Sequence, residues 1–478
     1  MLFALPAVLL LSTGCKKFLN VNQDPNNLVS AQPAQLLPTI EASIGVALGD
    51  DYYPFGNIWA QYFTQSAVAS QYKTIDQYLQ LNSDFNYAWM HLYQSALINT
   101  QLMITNSSGN TTQLQYLGIG YVLKAYALQL TTDGFGDIPL SQALQGSDNK
   151  NPVYDKQEMV YDSIFSLLEQ GKALMNNSDP NNPGSADLIF QGNMDTWVAF
   201  ANTLELRAYL RLTQINPTAA QAGVAALYAN GATFLTTNAQ ITYSATGGNQ
   251  NPFYIKEVAL GQTVNLAASQ TVISQFVRNN DARQFVLFDT TGLGAGDTVV
   301  YLPQGSFAQN TNKVCATPSA LVAGNPQDAN SALAPVYLIS LSESNFLQAE
   351  AVARGWGQGS ASALFTAGIN ASFANDGIPD SAANYLLNAP DAQFPVAGTT
   401  AQLKAIITQK YYAMCGSQGF EAWTEWRRTG YPTFFVPSAA SSGRPFPLRF
   451  LYPQSELTGN LNYPGTVPET TPVWWDVQ

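Results

Sequence analysis

Residues 114–121 read Leu-Gln-Tyr-Leu-Gly-Ile-Gly-Tyr, and residues 349–368 read AEAVARGWGQGSASALFTAG. Their spacing decides the fold class. In the first stretch Leu114, Leu117, Gly118 and Tyr121 fall three and four apart, so one helix face carries large, small and aromatic positions in turn. In the second, Ala349, Val352, Ala361, Phe365 and Gly368 distribute small and large residues over two successive helices. Small residues let two antiparallel helices approach, and large ones fill the gap to the next pair.

This is the position pattern of a tetratricopeptide unit, with Leu114 in place of its usual Trp. Paired helical patterns at 194–229 and 400–428 extend it. The reading is a mostly α fold of stacked tetratricopeptide-like helix pairs, packed against a loop-rich region with few short strands. Helices are predicted at about 35–48, 55–68, from Phe85 onward, 112–132, 156–176, 194–213, 217–229, 264–278, 338–355, 359–375, 400–414 and 417–428. Strand signals are thin, at 241–243 and around 284–302. Long segments rich in Gly, Asn and Pro interrupt the helices at 177–190, 244–262, 303–333 and 376–398. Such segments exceed plain connectors and are suspects for a functional face.

Net charge is −12, yet only 11% of residues are charged. An acidic surface rich in amides and hydroxyls argues against nucleic acid, which needs a basic face. It suits neutral polar ligands such as sugars or peptides. The chain carries 24 Tyr and 8 Trp, enough for some rings to stack on a ligand. With one His, three Cys and no CxxC, no metal and no cofactor is expected. Cys315 and Cys415 could pair or stay free. No GxSxG, HExxH or phosphate loop is present, and no catalytic residue is assigned.

Three motifs carry charge or unusual residues. His91, on the helical pattern from Phe85, reads as a satisfied histidine in packing. Asp133-Gly-Phe-Gly-Asp-Ile-Pro139 ends a helix, and its two Asp read as turn caps. Glu421-Ala-Trp-Thr-Glu425-Trp-Arg427-Arg428 is the densest charged stretch. On a helix Glu421 and Glu425 share a face, and Glu425 reaches Arg428. The two Arg are expected to pin this helix to its surroundings through carboxylates and carbonyls.

At the N-terminus an apolar run, residues 1–11, leads into Leu11-Ser-Thr-Gly14-Cys15 and then Lys16-Lys17. An apolar segment ending in a small residue and a cysteine is what a lipoprotein signal needs, although Ser12 stands where such signals usually carry Leu. Residues 1–14 then form the signal peptide, and Cys15 takes the lipid. The roughly 460 residues from Cys15 to 478 form one helical domain with inserted loops. The apolar run is shorter than the ~20 residues of a spanning helix, so lipid is the only anchor expected.

The chain resembles SusD/RagB-like outer-membrane lipoproteins of Bacteroidetes nutrient-uptake systems. The resemblance rests on Cys-Lys-Lys-Phe-Leu-Asn-Val-Asn-Gln-Asp-Pro-Asn (15–26), the 133–139 motif, Trp197…Phe200-Ala-Asn-Thr-Leu204…Arg207 and Asn251-Pro-Phe-Tyr254. It continues through Asp281-Ala-Arg283, Ala349-Glu-Ala…Arg354-Gly355, Gln409-Lys410…Glu421-Ala-Trp423…Arg427-Arg-Thr-Gly-Tyr-Pro432 and Arg449-Phe-Leu-Tyr-Pro453. It implies a non-catalytic protein at the cell surface. Such a protein captures oligosaccharides or peptides and delivers them to a SusC-like, TonB-dependent transporter.

Residues 50–82 are unusually aromatic, and the ligand contacts are expected there: Tyr52, Tyr53, Trp59, Tyr72 and Tyr78, with Gln71 and Asp76 as polar partners. Two other readings are a surface glycoside hydrolase, which would need two facing carboxylates, and an assembly scaffold that binds no small ligand. The lipid anchor makes a direct prediction. Replacing Cys15 with Ala should release the protein from the membrane fraction, and full retention of the variant there would refute the anchor.

Overall fold

A computed structural model describes residues 31–176, 179–290 and 298–478. Cys15, the 1–14 leader and the Lys16–Asn26 run lie outside these residues. The chain is built mainly of helices, with four two-stranded antiparallel pairings among the described residues.

The small-and-large spacing of residues 114–121 and 349–368 becomes helix crossings. The Leu114–Phe135 helix packs along Gln157–Leu174. A Cβ on Gly118 would lie 3.0 Å from the Gly171 carbonyl oxygen, and a Cβ on Gly171 would lie 2.8 Å from the Gly118 oxygen. Two glycines therefore face each other where the backbones nearly touch. The Leu341–Ala353 helix packs along Ala361–Asn375, and Gly368 admits the Phe346 ring, which a Cβ would meet at 2.8 Å. Met194–Arg211 pairs with Pro217–Ala229, and Leu341–Ala353 also packs on Thr399–Ala413.

Several expected elements differ. The helix expected at 55–68 is Tyr53–Trp59. It stops because Gln61 turns to φ 58°, and the chain leaves as a strand, Phe63–Gln65. The run from Phe85 is not one α-helix. Asn86–Trp89 gives way to a wider π-helical stretch, Met90–Leu97, before α-helix resumes over Ile98–Ser107. The pattern at 264–278 splits into strand Leu266–Ala268 and helix Gln270–Arg278, with the Ser269 side chain capping the latter. Inside the segment read as loop, Pro252–Ala259 forms a helix capped by the Asn251 side chain. Cys315 and Cys415 are both free and buried.

A ring cluster gathers around Phe450. Its ring centre lies 4.9 Å from Tyr52, 4.6 Å from Phe85, 5.5 Å from Phe135, 5.7 Å from Trp59 and 5.4 Å from Trp423. Stacked, tilted and edge contacts of this kind add to the burial of large apolar area. The Phe450 N–H donates to the Gly134 carbonyl at 2.8 Å, so the tail of the chain is stitched to the end of the Leu114–Phe135 helix.

Beside this cluster lies a buried ion network. Arg211 donates to Asp133, Glu421 and Glu425. Arg428 donates to Glu350 and Glu425, each at 2.7 Å. Arg207 bonds Gln129 and contacts Glu343 at 3.3 Å. Lys410 sits 3.3–3.8 Å from Glu343, Glu421 and Glu425. Arg427 instead reaches the Leu448 carbonyl at 2.9 Å and lies over the Trp423 ring. The Arg pair thus pins its helix as the sequence suggested.

The 133–139 motif divides its labour differently from the expectation. Asp137 does cap, accepting from the Gln157 N–H at 2.9 Å. Asp133 is not a turn cap: it is buried, taking Tyr161 Oη at 2.6 Å, Trp475 Nε1 at 2.8 Å and Arg211. Partners on two other helices and on the C-terminal tail make this Asp part of the core rather than of the turn.

Burial alone would push the Glu425 carboxyl up, but Arg428, Lys410 and Arg211 outweigh it and hold it well below the usual 4.5. Its stabilising contribution is therefore complete above about pH 4.5 and is lost as pH falls through the depressed folded value. Glu425→Gln should lower the unfolding free energy at neutral pH by about 3–5 kcal/mol, because Arg211 and Arg428 lose a buried counter-charge. Urea unfolding should show this gap shrinking as pH falls below about 4.5; a gap that stays constant would remove Glu425's charge from the account. For the helix crossing, Gly171→Ala should cost about 1–3 kcal/mol by overpacking. Unchanged urea unfolding would mean that the crossing can open without penalty.

Candidate ligand-binding cleft

Strand Phe63–Gln65 pairs with Leu266–Ala268 in the register Phe63↔Ala268. Backbone bonds extend this pairing sideways. The Ala268 N–H donates to the Ala316 carbonyl at 2.8 Å, and the Ala316 N–H to the Val300 carbonyl at 2.8 Å. Beyond it, Phe288–Asp289 pairs with Thr317–Pro318. These short pieces bring together segments that are distant in sequence, and a cleft of about 600 Å³ opens at their edge. That volume falls in the ~300–1,000 Å³ range of ligand sites.

Three valines, Val68, Val264 and Val314, line the cleft, and Val68 and Val314 are exposed. Its polar lining includes Ser66, Thr317, Asn325 and Gln327, with the carboxylates Asp289 and Asp328. Cys315 completes one wall, and burial pushes its thiol above its usual range. Hydroxyls, amides and aliphatic walls can bind a polar, uncharged ligand by hydrogen bonds and apolar contact. The carboxylates are engaged in building the site. Asp289 Oδ2 accepts from Asn325 Nδ2 at 2.6 Å, and Asp328 Oδ1 accepts from the Asn330 N–H at 2.9 Å.

A buried cluster holds the Ser66–Val68 wall in place. Gln65 accepts from the Tyr72 N–H at 2.6 Å, and the Ser66 N–H donates to the Asn265 carbonyl at 2.8 Å. Glu257 accepts from Tyr72 Oη at 2.5 Å and from Asn265 Nδ2 at 3.0 Å. Burial raises the Glu257 carboxyl, and these two bonds offset part of that rise. The missed Pro252–Ala259 helix supplies this Glu257.

Of the seven residues expected to touch ligand, six lie in the interior. Tyr52 packs on Phe420 and Phe450. Tyr53 stacks on Phe253 at 4.1 Å and donates to the Val322 carbonyl. Trp59 donates to the Ile75 carbonyl at 3.2 Å. Tyr72 is the hydroxyl on Glu257. Tyr78 accepts from the Ser438 N–H at 3.1 Å. Asp76 accepts from Thr64, from the Gln65 N–H and from Gln304; burial outweighs these bonds and raises its carboxyl to about 6. Gln71 alone is exposed, on the turn that follows Val68. The rings of residues 50–82 thus face inward, while their loop forms one wall of the cleft.

The opposite wall, Val314–Ala329, lies inside the long 303–333 segment. Its residues carry no motif; their signal was the length of the segment alone. His91 makes the contact expected of a satisfied histidine, with Nδ1 2.7 Å from Asp51. Among the described residues no cluster of His, Cys, Asp and Glu could hold a metal ion, and no helix is long and apolar enough to cross a membrane.

A family profile described as SusD-like, "starch-binding associating with outer membrane", matches residues 25–453. A chitin-binding SusD homolog from Flavobacterium johnsoniae superposes with a TM-score of 0.76 at 23% identity, covering 93% of this chain and 98% of that one. A SusD/RagB family protein from Bacteroides thetaiotaomicron gives 0.77 at 23% identity, over 94% and 99%. A SusD homolog from Bacteroides vulgatus gives 0.76 at 22%, over 93% and 98%. A search of curated protein sequences finds no match. The chain belongs to the SusD-like family.

Proposed function

We propose that this SusD-like chain is a non-catalytic glycan receptor at the cell surface, tethered to the outer membrane through a lipid on Cys15. It hands its ligand to a SusC-like, TonB-dependent transporter. The observation that carries the reading is the 600 Å³ cleft, lined by hydroxyls, amides and valines, in a chain whose family is described as starch-binding at the outer membrane. One structural relative is a chitin-binding protein, which makes N-acetylglucosamine oligomers the first probe beside maltooligosaccharides. The engagement of Asp289 and Asp328 in wall-building bonds favours capture over hydrolysis, since a hydrolase needs one carboxylic acid and one carboxylate free to meet the substrate.

A peptide ligand is the second reading. The cleft lining holds three valines and no aromatic ring among the described residues, and aliphatic walls suit peptide side chains as well as sugar C–H faces.

Calorimetry on the mature protein with both oligosaccharide series and a mixed peptide library tests the reading. Val314→Trp, at an exposed wall position, should fill the cleft and weaken binding by about tenfold or more, equivalent to ~1.4 kcal/mol. Unaltered affinity in this variant would move the site elsewhere. Release of shorter sugars from a bound oligomer would replace capture by hydrolysis.

A further inference from the structure

Two buried carboxyls meet where the Pro33–Val46 helix packs on the turn at 184–192. Glu41 comes from the middle of that helix, and Asp187 follows the short 3-10 turn Gly184–Ala186. Both residues are 0% exposed. In the Arg211 network every carboxylate has a cation beside it; among the described residues this pair has none.

The hydrogen bonds decide which of the two can hold a proton. Asp187 Oδ1 accepts from the N–H groups of Ile189 and Phe190, at 2.9 and 3.0 Å. Its Oδ2 accepts from the Gly192 N–H at 2.8 Å and from Trp197 Nε1 at 2.7 Å. Four donors fill the four lone-pair positions of a carboxylate, which leaves Asp187 no room for a proton or a metal ion. Glu41 is the opposite case. Its Oε2 accepts one bond, from the Leu188 N–H at 2.8 Å, while Oε1 is buried and meets no N–H or O–H donor among the described residues. A second bare charge beside Asp187 is costly in this interior. A proton on Oε1 removes that charge and turns an orphaned acceptor into a donor toward Asp187. Burial and the Asp187 charge push the Glu41 carboxyl well above its usual 4.5, and the Leu188 bond offsets only part of the rise.

Asp187 alone acts on Glu41 among the described charged groups. Glu41 is the one titratable side chain of its own helix. Of the segments packed on that helix, Ile98–Ser107, Gly184–Ala186 and Ala239–Ile241 carry none. Ala47–Asp51 brings Asp50, paired with Lys256, and Asp51, paired with His91 of Met90–Leu97. Tyr93 of the latter segment bonds the Pro139 carbonyl. On Leu114–Phe135, Lys124 bonds Gln101, Tyr126 bonds the Leu338 carbonyl, Asp133 belongs to the ion network and Tyr121 packs toward Gly171. Tyr116 of that helix lies near the pair, its hydroxyl pushed up by burial and by the Asp187 charge.

We propose that Glu41 keeps its proton at neutral pH and donates it from Oε1 to the Asp187 carboxylate. The seat of the Pro33–Val46 helix is then a proton-dependent latch that loosens in alkaline solution.

Glu41→Gln copies the protonated acid, because its amide N–H can donate to Asp187 while its oxygen accepts from Leu188. A carboxyl raised in the folded state gives stability that is complete below about pH 4.5 and is lost as pH rises toward the folded value. The variant should therefore melt with the wild type near pH 4.5, and on the order of 2 °C or more above it at about pH 8. Asp187→Asn should instead melt lower at every pH, since an amide nitrogen cannot accept from Gly192 and Trp197. The infrared difference spectrum of wild type against Glu41→Gln at neutral pH should contain the carbonyl band of a protonated carboxylic acid. In the wild type alone, the Leu188 amide should lose hydrogen-exchange protection as pH rises, which keeps the test open should a variant not fold. The proposal falls if the melting gap is flat with pH, if the infrared band is missing, if Leu188 protection does not change, or if Asp187→Asn is the tolerated change and Glu41→Gln the damaging one. Calcium chloride that raises the melting temperature of the wild type but not of Glu41→Gln would put a metal ion in place of the proton and overturn it as well.

Discussion

The buried contact between Arg211 and the carboxylates Glu421, Glu425 and Asp133 is the constraint around which the fold is arranged. Taking these ions out of water costs on the order of several kcal/mol each, and only close, hydrogen-bonded partners offset that. The partners come from separate helices. Asp133 ends Leu114–Phe135, Arg211 ends Met194–Arg211, Lys410 lies on Thr399–Ala413, and the two Glu lie on Gly419–Thr429. Arg428 carries the network on to Glu350 of Leu341–Ala353. No helix in this set can shift by much without stranding a charge. Apolar packing alone would tolerate sliding; the charges fix the register at which the helix pairs stack.

What the sequence disclosed follows from how local each signal is. Gly118, Phe365 and Gly368 sit in periodic helices, so their spacing alone announced close crossings, and the structure places them at such crossings. Arg428 and Glu425 were legible because both lie on one helix. Asp133 was read as a turn residue because its partners, Arg211 and Trp475, are far away in sequence. The Pro252–Ala259 helix was missed although Asn251 and Pro252 are a cap and a first-turn proline, because the surrounding Asn and Gly residues look like loop.

The ligand surface was harder for a related reason. Ring density at residues 50–82 is a true signal, but of the core. The partners that bury those rings, Phe420, Trp423 and Phe450, lie more than 300 residues downstream and leave no trace in local pattern. The cleft is made where four distant segments meet, and its walls carry valines and amides that stand out in no composition count. Its one advance sign was the length of the 303–333 segment, since such length in a compact protein calls for a reason.

The seam made by Phe450 and Trp475 bears on the order of events during synthesis. Asp133 and Arg211 are made early, whereas Glu421, Glu425, Phe450 and Trp475 emerge only in the last stretch of chain. Until then Arg211 has Asp133 beside it but lacks Glu421 and Glu425, and the aromatic cluster lacks its centre. The first four hundred residues therefore cannot settle into the final arrangement on their own. The closing segment works as a clasp: it brings the two Glu that complete the Arg211 network and the ring at the centre of the aromatic cluster.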